Sequence, residues 1–377
     1  MDCFANQPGV FNLEQLRRAI ERKWISPAPP VVGVDLSAVD LVLGREYWSL
    51  PASVRPGEDE AVGCALNRLQ KPGALANAGS LILKRGRVYV FRIEQSLYLP
   101  TIVSARATGK SSVGRLDVLT RLLCDRGASF DEVRPGYRGP LFVEVISNSF
   151  DIQVHAGRSC LNQLRLFWGE PSESRLPLRK ALWAAPEGRV LYQHALFHGE
   201  DLDSTGVRLR VSTEPDASGA AAYCAKMNVP GAIDVDAEKN TYRASEFWDV
   251  VEPESFEDSK GLCLQADKFY ILASKERFLV PPALCVECRA YQETLGEYRI
   301  HYAGFAHPGF GSARPAEGTP LMLEVRPHSA NVVLFGHEPI AQVEFYRMSK
   351  PNPDDCHGEA AYETQELQLS KYFQMGE

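Results

Sequence analysis

The segment LILKRGRVYVFRIEQSLYLP (81–100) aligns without a gap on LCLQADKFYILASKERFLVP (262–281), and this pair decides the fold class. Apolar residues of one copy align with apolar residues of the other, and both copies end in proline. In the first copy Leu81, Leu83, Val88 and Val90 alternate with polar residues, the period of a half-buried strand. The sequence therefore predicts a tandem duplication of one β-rich domain.

Shorter matches extend the repeat in the same order along both halves. They pair 38–48 with 232–248, 135–137 with 308–310, and 140–145 with 320–325. A chain of 377 residues also suits two domains. We therefore expect a first domain over 1–170, a linker over 171–205 and a second domain over 206–377. The N-terminus predicts one clear helix, because Asn12 can cap it and Gln15 follows three residues later.

The composition limits the classes of partner. A net charge of −7 argues against a broad nucleic-acid-binding surface. The chain lacks a secretory pattern and an apolar run of ~18 residues, so we expect no membrane span. The nine cysteines are scattered and odd in number, which favours reduced thiols in the cytoplasm.

One segment predicts an anion site. Lys110-Ser111-Ser112-Val-Gly-Arg115 offers two hydroxyls, two cations and backbone N–H groups where a helical turn begins. It lies within 106–138, a stretch that contains seven basic and four acidic residues in an otherwise acidic chain. Taken alone, the same segment is also compatible with a helix cap carrying solvated charges.

Glu144 is the candidate general base. It lies between Val143 and Val145 on a predicted strand, and a desolvated carboxylate has a pKa raised toward neutrality. The alternative is a carboxylate on the outer face, since alternation directs it away from both valines. Glu324 occupies the matching position of the second repeat.

Taken in order, these motifs resemble the dCTP deaminases of the dUTPase-like fold. The segments that carry the resemblance are 37–44, 99–100, 110–115, 135–139, 141–144 and, at the C-terminus, 361–365. The resemblance implies a mainly β fold: two tandem dUTPase-like (β-clip, distorted jelly-roll barrel) domains with a few short helices. It also implies hydrolytic deamination of dCTP to dUTP and ammonia, without zinc, in pyrimidine deoxyribonucleotide biosynthesis.

The resemblance assigns a role to each candidate residue. Glu144 is the first choice for the general base and Glu324 the second. The remaining roles are orienting the water and the base (Ser111, Arg115), binding phosphates (Lys110, Ser112) and covering the nucleotide (Tyr362, Gln365, Lys371). Mg²⁺ is expected to arrive with the triphosphate. We also expect a homo-oligomer, with one site per chain that combines the segment 110–115 with the C-terminal tail, within a chain or between neighbours.

Three departures from the family pattern keep other functions open. Lys110 replaces an arginine, Arg134 replaces an aspartate, and Ala290-Tyr-Gln-Glu293 replaces the Lys-Ser-Ser segment in the second half. The alternatives are a dUTP pyrophosphatase, a bifunctional deaminase–pyrophosphatase and a non-catalytic nucleotide-binding regulator. Arg134 disfavours the pyrophosphatase, which needs an acidic group to activate water.

The zinc-dependent deaminases are a further alternative, because they carry H-x-E and P-C-x-x-C motifs. The chain contains His198-Gly-Glu200 and His357-Gly-Glu359, and the pair Cys285 and Cys288. The repeat places both cysteines on a strand, where residues three apart point to opposite faces. Two cysteines are also too few for a four-ligand site, so we expect no zinc.

Overall fold

The computed structural model describes most of the chain. The described residues are 7–28, 33–75, 79–127, 129–177, 191–192, 206–216, 218–257, 259–289, 298–301, 304–314, 317–352, 362 and 364–375. Most of the predicted linker, Ala290–Glu293 and both His-x-Glu triplets therefore lie outside the described residues. The contacts divide the chain into two units: Met1–Ser174, Gly231–Ala237 and Arg347–Asn352 form the first, and Arg175–Pro230, Glu238–Tyr346 and Pro353–Glu377 form the second.

Among its described residues, the first unit contains four short helices and most of the long strands. Its elements are β1 (Gly9–Val10), α1 (Leu13–Glu21), β2 (Ile25–Ser26), β3 (Val39–Leu50), α2 (Val62–Leu69), β4 (Gly73–Ala74), β5 (Ser80–Leu83), β6 (Val88–Tyr98), β7 (Val103–Gly109), α3 (Ser111–Gly114), β8 (Val118–Cys124), β9 (Glu132–Val133), β10 (Arg138–Ser147), β11 (Ile152–His155), β12 (Cys160–Trp168) and α4 (Pro171–Ser174).

The second unit repeats this arrangement with shorter strands. Between the halves and through the second half run β13 (Arg175–Leu176), β14 (Leu191–Tyr192), β15 (Gly206–Arg210), β16 (Ala222–Ala225), β17 (Ile233–Asp234), β18 (Tyr242–Arg243), α5 (Ala244–Phe247), β19 (Trp248–Val251), β20 (Glu254–Phe256), β21 (Ser259–Leu264), β22 (Tyr270–Phe278), β23 (Leu284–Arg289), β24 (Tyr298–Ile300), β25 (Phe305–Ala306), β26 (Thr319–Pro327), β27 (Val332–Phe335), β28 (Pro339–Arg347) and β29 (Phe373–Gln374).

The strand pairing confirms the duplication. In the first unit β10 lies between β6 and β8, and in the second β26 lies between β22 and β24. The pair of β5 with β11 recurs as β21 with β27, and β7 with β9 recurs as β23 with β25. The β character predicted from the repeat and the barrel-like architecture implied by the resemblance are therefore confirmed.

The helices are short, and the predicted N-terminal one is present. Helix α1 begins after Asn12, whose side chain accepts from the N–H of Gln15, while the Gln15 side chain accepts from the N–H of Asn12. Within the described residues, no helix combines the length and apolarity needed to cross a membrane.

A segment that the alignment assigns to the second repeat completes a small sheet of the first unit. Strand β17 pairs in parallel with β11. His155 Nε2 lies 3.1 Å from Asp234 Oδ2, and the Ser159 hydroxyl bonds to Asp236. His155, Asp234 and Asp236 form a cluster of metal-ligand types. Their mutual hydrogen bonds give the cluster a structural role, which is to hold β17 against β11.

The turn before β26 supplies a test of the fold. Gly311 has φ of +83°, and a Cβ there would lie 2.1 Å from the Phe278 carbonyl oxygen. That oxygen belongs to β22, where Phe278 pairs with Thr319, so relief would break strand pairing. Gly219 has a similar φ of +85° with nothing within 4 Å of its Cβ position. Gly219→Ala should lower the free energy of unfolding by ~1 kcal/mol, and Gly311→Ala by ~3 kcal/mol or more.

Urea denaturation of the two variants beside the wild type measures both losses. Equal losses would contradict the close approach of Gly311 to β22, because strain from the positive φ is common to both variants.

Candidate active site

The predicted anion segment folds as expected. Strand β7 ends at Gly109, and one turn of helix, α3, follows. The N–H groups of Val113 and Gly114 both donate to the Lys110 carbonyl. The N–H of Arg115 donates to the Ser111 carbonyl. The Ser112 and Arg115 residues are buried, whereas Ser111 is half-buried. The structure therefore encloses a guanidinium and a hydroxyl at this turn, instead of exposing both to water.

Lys110 has a partner inside the first unit. Its ammonium contacts the Asp40 carboxylate on β3. The lysine side chain is 29% exposed and the aspartate 17% exposed. An anion that binds to Lys110 must therefore compete with Asp40, and the sequence did not reveal this pairing because the two residues are seventy positions apart.

Glu144 and Phe142 lie on the same face of β10, and both are buried. Opposite Glu144 are Val90 on β6 and Arg121 on β8. Glu144 is 1% exposed. Phe142 and Val90 belong to an apolar cluster with residues of β3, α2, β6 and β8 (Trp48, Leu50, Val62, Leu66, Val88, Leu123). The alternative of an outward-facing carboxylate is therefore wrong.

Both oxygens of the Glu144 carboxylate have donors. The Ser53 hydroxyl donates to Oε1 at 3.0 Å and the Val54 N–H donates to Oε2 at 3.3 Å. Burial raises the pKa of Glu144 above its ordinary value, while the bonds from Ser53 and Val54 and the charge of Arg121 lower it in part. Sequence reasoning missed Ser53 and Val54, since they lie in an irregular stretch that no motif marks.

Glu324 occupies the corresponding place on β26. It is 3% exposed and pairs with Ile271 on β22. On its other side the His301 N–H donates to the Glu324 carbonyl at 2.8 Å. Burial raises the pKa of the Cys288 thiol to about 12, and the charges of Glu324 and Glu287 add to this rise. Cys288 and its neighbour Cys285 both lie on β23, as the repeat predicts.

The C-terminal tail runs along the strand that carries Glu324. The Gln365 side chain donates to the Pro320 carbonyl at 2.8 Å, and the Gln368 N–H lies 3.5 Å from the Met322 sulfur. Met322 and Glu324 share a face, because residues two apart on a strand point the same way. The opposite face of β26 (Leu321, Leu323, Val325) belongs to the core of the second unit. The tail therefore packs on the Glu324 face.

The other predicted tail residues stabilise the tail itself. The Lys371 N–H donates to the Tyr362 hydroxyl at 3.0 Å, and the Lys371 ammonium lies 5.2 Å from the centre of the Tyr372 ring. The Asn240 N–H donates to the Lys371 carbonyl, and β29 then pairs with β18. The second unit thus brings Tyr362, Gln365 and Lys371 together in one ordered segment, while the segment 110–115 belongs to the first unit.

Comparison with known proteins gave two family matches and structural neighbours. The family model for the 2'-deoxycytidine 5'-triphosphate deaminase (DCD) N-terminal domain matches residues 7–170, and that for the C-terminal domain matches 187–373. The crystal structure of 2'-deoxycytidine 5'-triphosphate deaminase from Agrobacterium tumefaciens is similar, with a TM-score of 0.82 and 30% identity. The match covers 92% of this chain and 97% of that one. A search of curated proteins gave no match.

The raised pKa of Glu144 predicts a pH-dependent gain from Glu144→Gln. Because the pKa is higher in the folded state, the wild type loses stability as pH rises from the ordinary carboxyl value of 4.5 through the raised value. The glutamine carries no such penalty, and the Ser53 hydroxyl can turn to accept from its amide. Relative to the wild type, the variant should therefore become more stable with rising pH and then level off.

Urea denaturation of both proteins at several pH values between 4 and 8 measures this difference. A stability difference that is constant over the range would contradict the desolvation of Glu144.

Proposed function

The chain belongs to the 2'-deoxycytidine 5'-triphosphate deaminase family and hydrolyses dCTP to dUTP and ammonia, and on this premise we propose that Glu324 is its general base. This reverses the order of preference drawn from the sequence, which placed Glu144 first. The observation that carries the proposal is the course of the tail, which packs on the Glu324 face of β26.

The surroundings of Glu144 support the reversal. Thirty-three positions separate Trp48 from Leu81 in the first half, whereas fourteen separate Trp248 from Leu262 in the second. The additional residues of the first half include helix α2 and the Ser53–Val54 donors, and they fill the face of β10 beside Glu144. A nucleobase could reach this carboxylate only by displacing both donors and part of an apolar cluster.

Glu324 lies on the strand that the C-terminal tail covers, a position suited to a general base. Residues that the family resemblance assigns to nucleotide closure, Tyr362, Gln365 and Lys371, lie in the segment that covers its strand. A substrate held beneath such a segment is shielded from water, which strengthens electrostatic interactions with a buried carboxylate. The tail and Glu324 thus supply the cover and the base from one unit.

In the proposed mechanism Glu324 accepts a proton from water as the water oxygen forms a bond to C4 of the cytosine ring. The carboxylic acid gives this proton to N3, and a second proton passes from the added hydroxyl to the amino group. The C4–N4 bond then breaks, ammonia leaves, and C4 becomes the carbonyl of uracil. A carboxylate that shuttles protons in this way contributes about 10²–10⁴ in rate.

The remaining roles follow the family pattern and form part of the proposal. Ser111 and Arg115 orient the water and the base, and Lys110 and Ser112 hold phosphates. Mg²⁺ would arrive with the triphosphate, where it would neutralise phosphate charge. A carboxylate beside the anion segment, Asp40, is already paired with Lys110, which favours this assignment.

The turn residues disfavour pyrophosphate hydrolysis. Activation of water at a phosphate needs an acidic side chain, and Arg134 and His307 occupy the matching turn positions of the two halves. The Arg134 guanidinium donates to the Arg126 carbonyl at 2.8 Å and lies 5.7 Å from the centre of the Tyr137 ring. We therefore propose a deaminase without pyrophosphatase activity and without zinc.

We further propose that the protein works in the cytoplasm as a homo-oligomer. The described cysteines (Cys64, Cys124, Cys160, Cys224, Cys263, Cys285, Cys288) are all free thiols, which suits a reducing compartment. Oligomerisation is the expectation from the family pattern, and the mass of the protein in solution by light scattering tests it.

Replacement of the two carboxylates one at a time tests the assignment of the base. Glu324→Gln should lower ammonia release from dCTP by about 10²-fold or more, because the amide cannot accept the proton from water. Glu144→Gln removes the same charge from the matching position of the first half, and its rate should stay within about threefold of the wild type. Both are assayed with Mg²⁺ after chelator treatment.

Binding of dCTP to Glu324→Gln, measured by calorimetry, shows whether the site remains intact. Loss of activity in Glu144→Gln alone would return the base to the first half. A wild type that releases no ammonia, with or without added zinc, would overturn the deaminase proposal, and pyrophosphate release from dUTP would then identify the alternative enzyme.

A further inference from the structure

Three charged side chains fasten the C-terminal tail to the second unit. Arg277 Nη2 lies 2.7 Å from Glu366 Oε1, and Arg277 Nη1 lies 2.9 Å from Glu366 Oε2. Arg314 Nη1 bonds to the same Oε1 atom. This bidentate geometry between Arg277 and Glu366 is the strongest arrangement of an arginine–carboxylate ion pair. We name these residues, Arg277, Arg314 and Glu366, the tail latch.

The latch also holds the start of β26. Besides Glu366, the Arg277 guanidinium donates to the carbonyls of Glu317 and Gly318, at 3.1 Å in each case. Thr319, the next residue, begins β26. One guanidinium thus connects the tail with the entry to the strand that carries Glu324, and Gln365, beside Glu366, bonds to the carbonyl of Pro320.

The latch belongs only to the half that carries the tail. In the gapless alignment of the repeats, Ser96 stands where the second half has Arg277. Ten positions separate Phe310 from Pro320, whereas three separate Tyr137 from Pro140. Arg314 lies in this longer loop. Both cations of the latch are therefore additions to the repeat, made where the tail packs.

Charge makes the contact favourable in the free protein. The hydrogen bond from Arg277 holds the pKa of Glu366 below its ordinary value, and the charges of both arginines contribute. Glu366 is about half exposed in its side chain, so solvent screens part of this attraction. The latch thus biases the tail toward its packed position without making that position irreversible.

We infer that Glu366 is a positioning residue for the reaction, which holds the tail against β26 before the nucleotide arrives, through Arg277 and Arg314. The inference rests on the proposed function in that the packed tail is the form that binds dCTP. Because the apparent affinity scales with the fraction of binding-competent molecules, loss of the latch raises KM. The value of kcat changes little, since bound nucleotide itself keeps the tail packed and Glu366 touches no reacting atom.

Two readouts on Glu366→Gln test the inference. Hydrogen exchange of the backbone amides in residues 364–375 of the free protein should become faster. The KM for dCTP should rise about three- to tenfold, with kcat within about twofold of the wild type. Glu252→Gln is the matched control, because Glu252 is an exposed glutamate of the same unit. It should change neither readout.

Arg314→Gln removes the charged contact between the loop before β26 and Glu366. It should change both readouts in the same direction as Glu366→Gln. It serves in place of Glu366→Gln should that variant fold poorly. Unchanged exchange in the tail would overturn the inference even if KM rises, and so would an unchanged KM with faster exchange. If the wild type releases no ammonia, the proposed function fails on that result, and the exchange experiment still decides whether the latch holds the tail.

Discussion

A buried carboxylate on the matching strands β10 and β26 of the two halves is the constraint around which the rest of the molecule is arranged. Removing a charged group from water costs several kcal/mol unless polar partners replace the lost solvent. In the first half Ser53 and Val54 satisfy both oxygens of Glu144, and Arg121 lies opposite on the neighbouring strand. The surrounding cluster then closes the site with apolar side chains.

In the second half the same position is covered by the C-terminal tail. The tail is attached by hydrogen bonds, by the ion pair of Glu366 with Arg277, and near its end by Phe373, which packs against Tyr242, Phe247 and Trp248. Duplication allows this division, since one copy of the strand can become part of the scaffold while the other keeps its carboxylate for the proposed reaction. The two halves therefore share strand pairing and differ in what lies on one face of β10 and of β26.

The sequence predicted the features that depend on local pattern. The repeat, its β character, the capped N-terminal helix and the place of Cys285 and Cys288 on a strand all follow from periodicity and alignment. The family also follows, because its motifs occur in order. The sequence could not predict which side chains close over Glu144, since Ser53 is ninety-one positions away and lies in no motif. The pairing of Lys110 with Asp40 and the docking of β17 against β11 are non-local in the same way.

The central claim is that the cytosine ring meets the carboxylate of the second half. A crystal structure of Glu324→Gln with dCTP and Mg²⁺ tests it most directly, because the variant binds the substrate without converting it. We expect a cytosine ring with N3 or N4 at about 3 Å from the side chain of residue 324, beneath the tail. A ring placed against Glu144, with the Ser53 and Val54 donors displaced, would contradict the account.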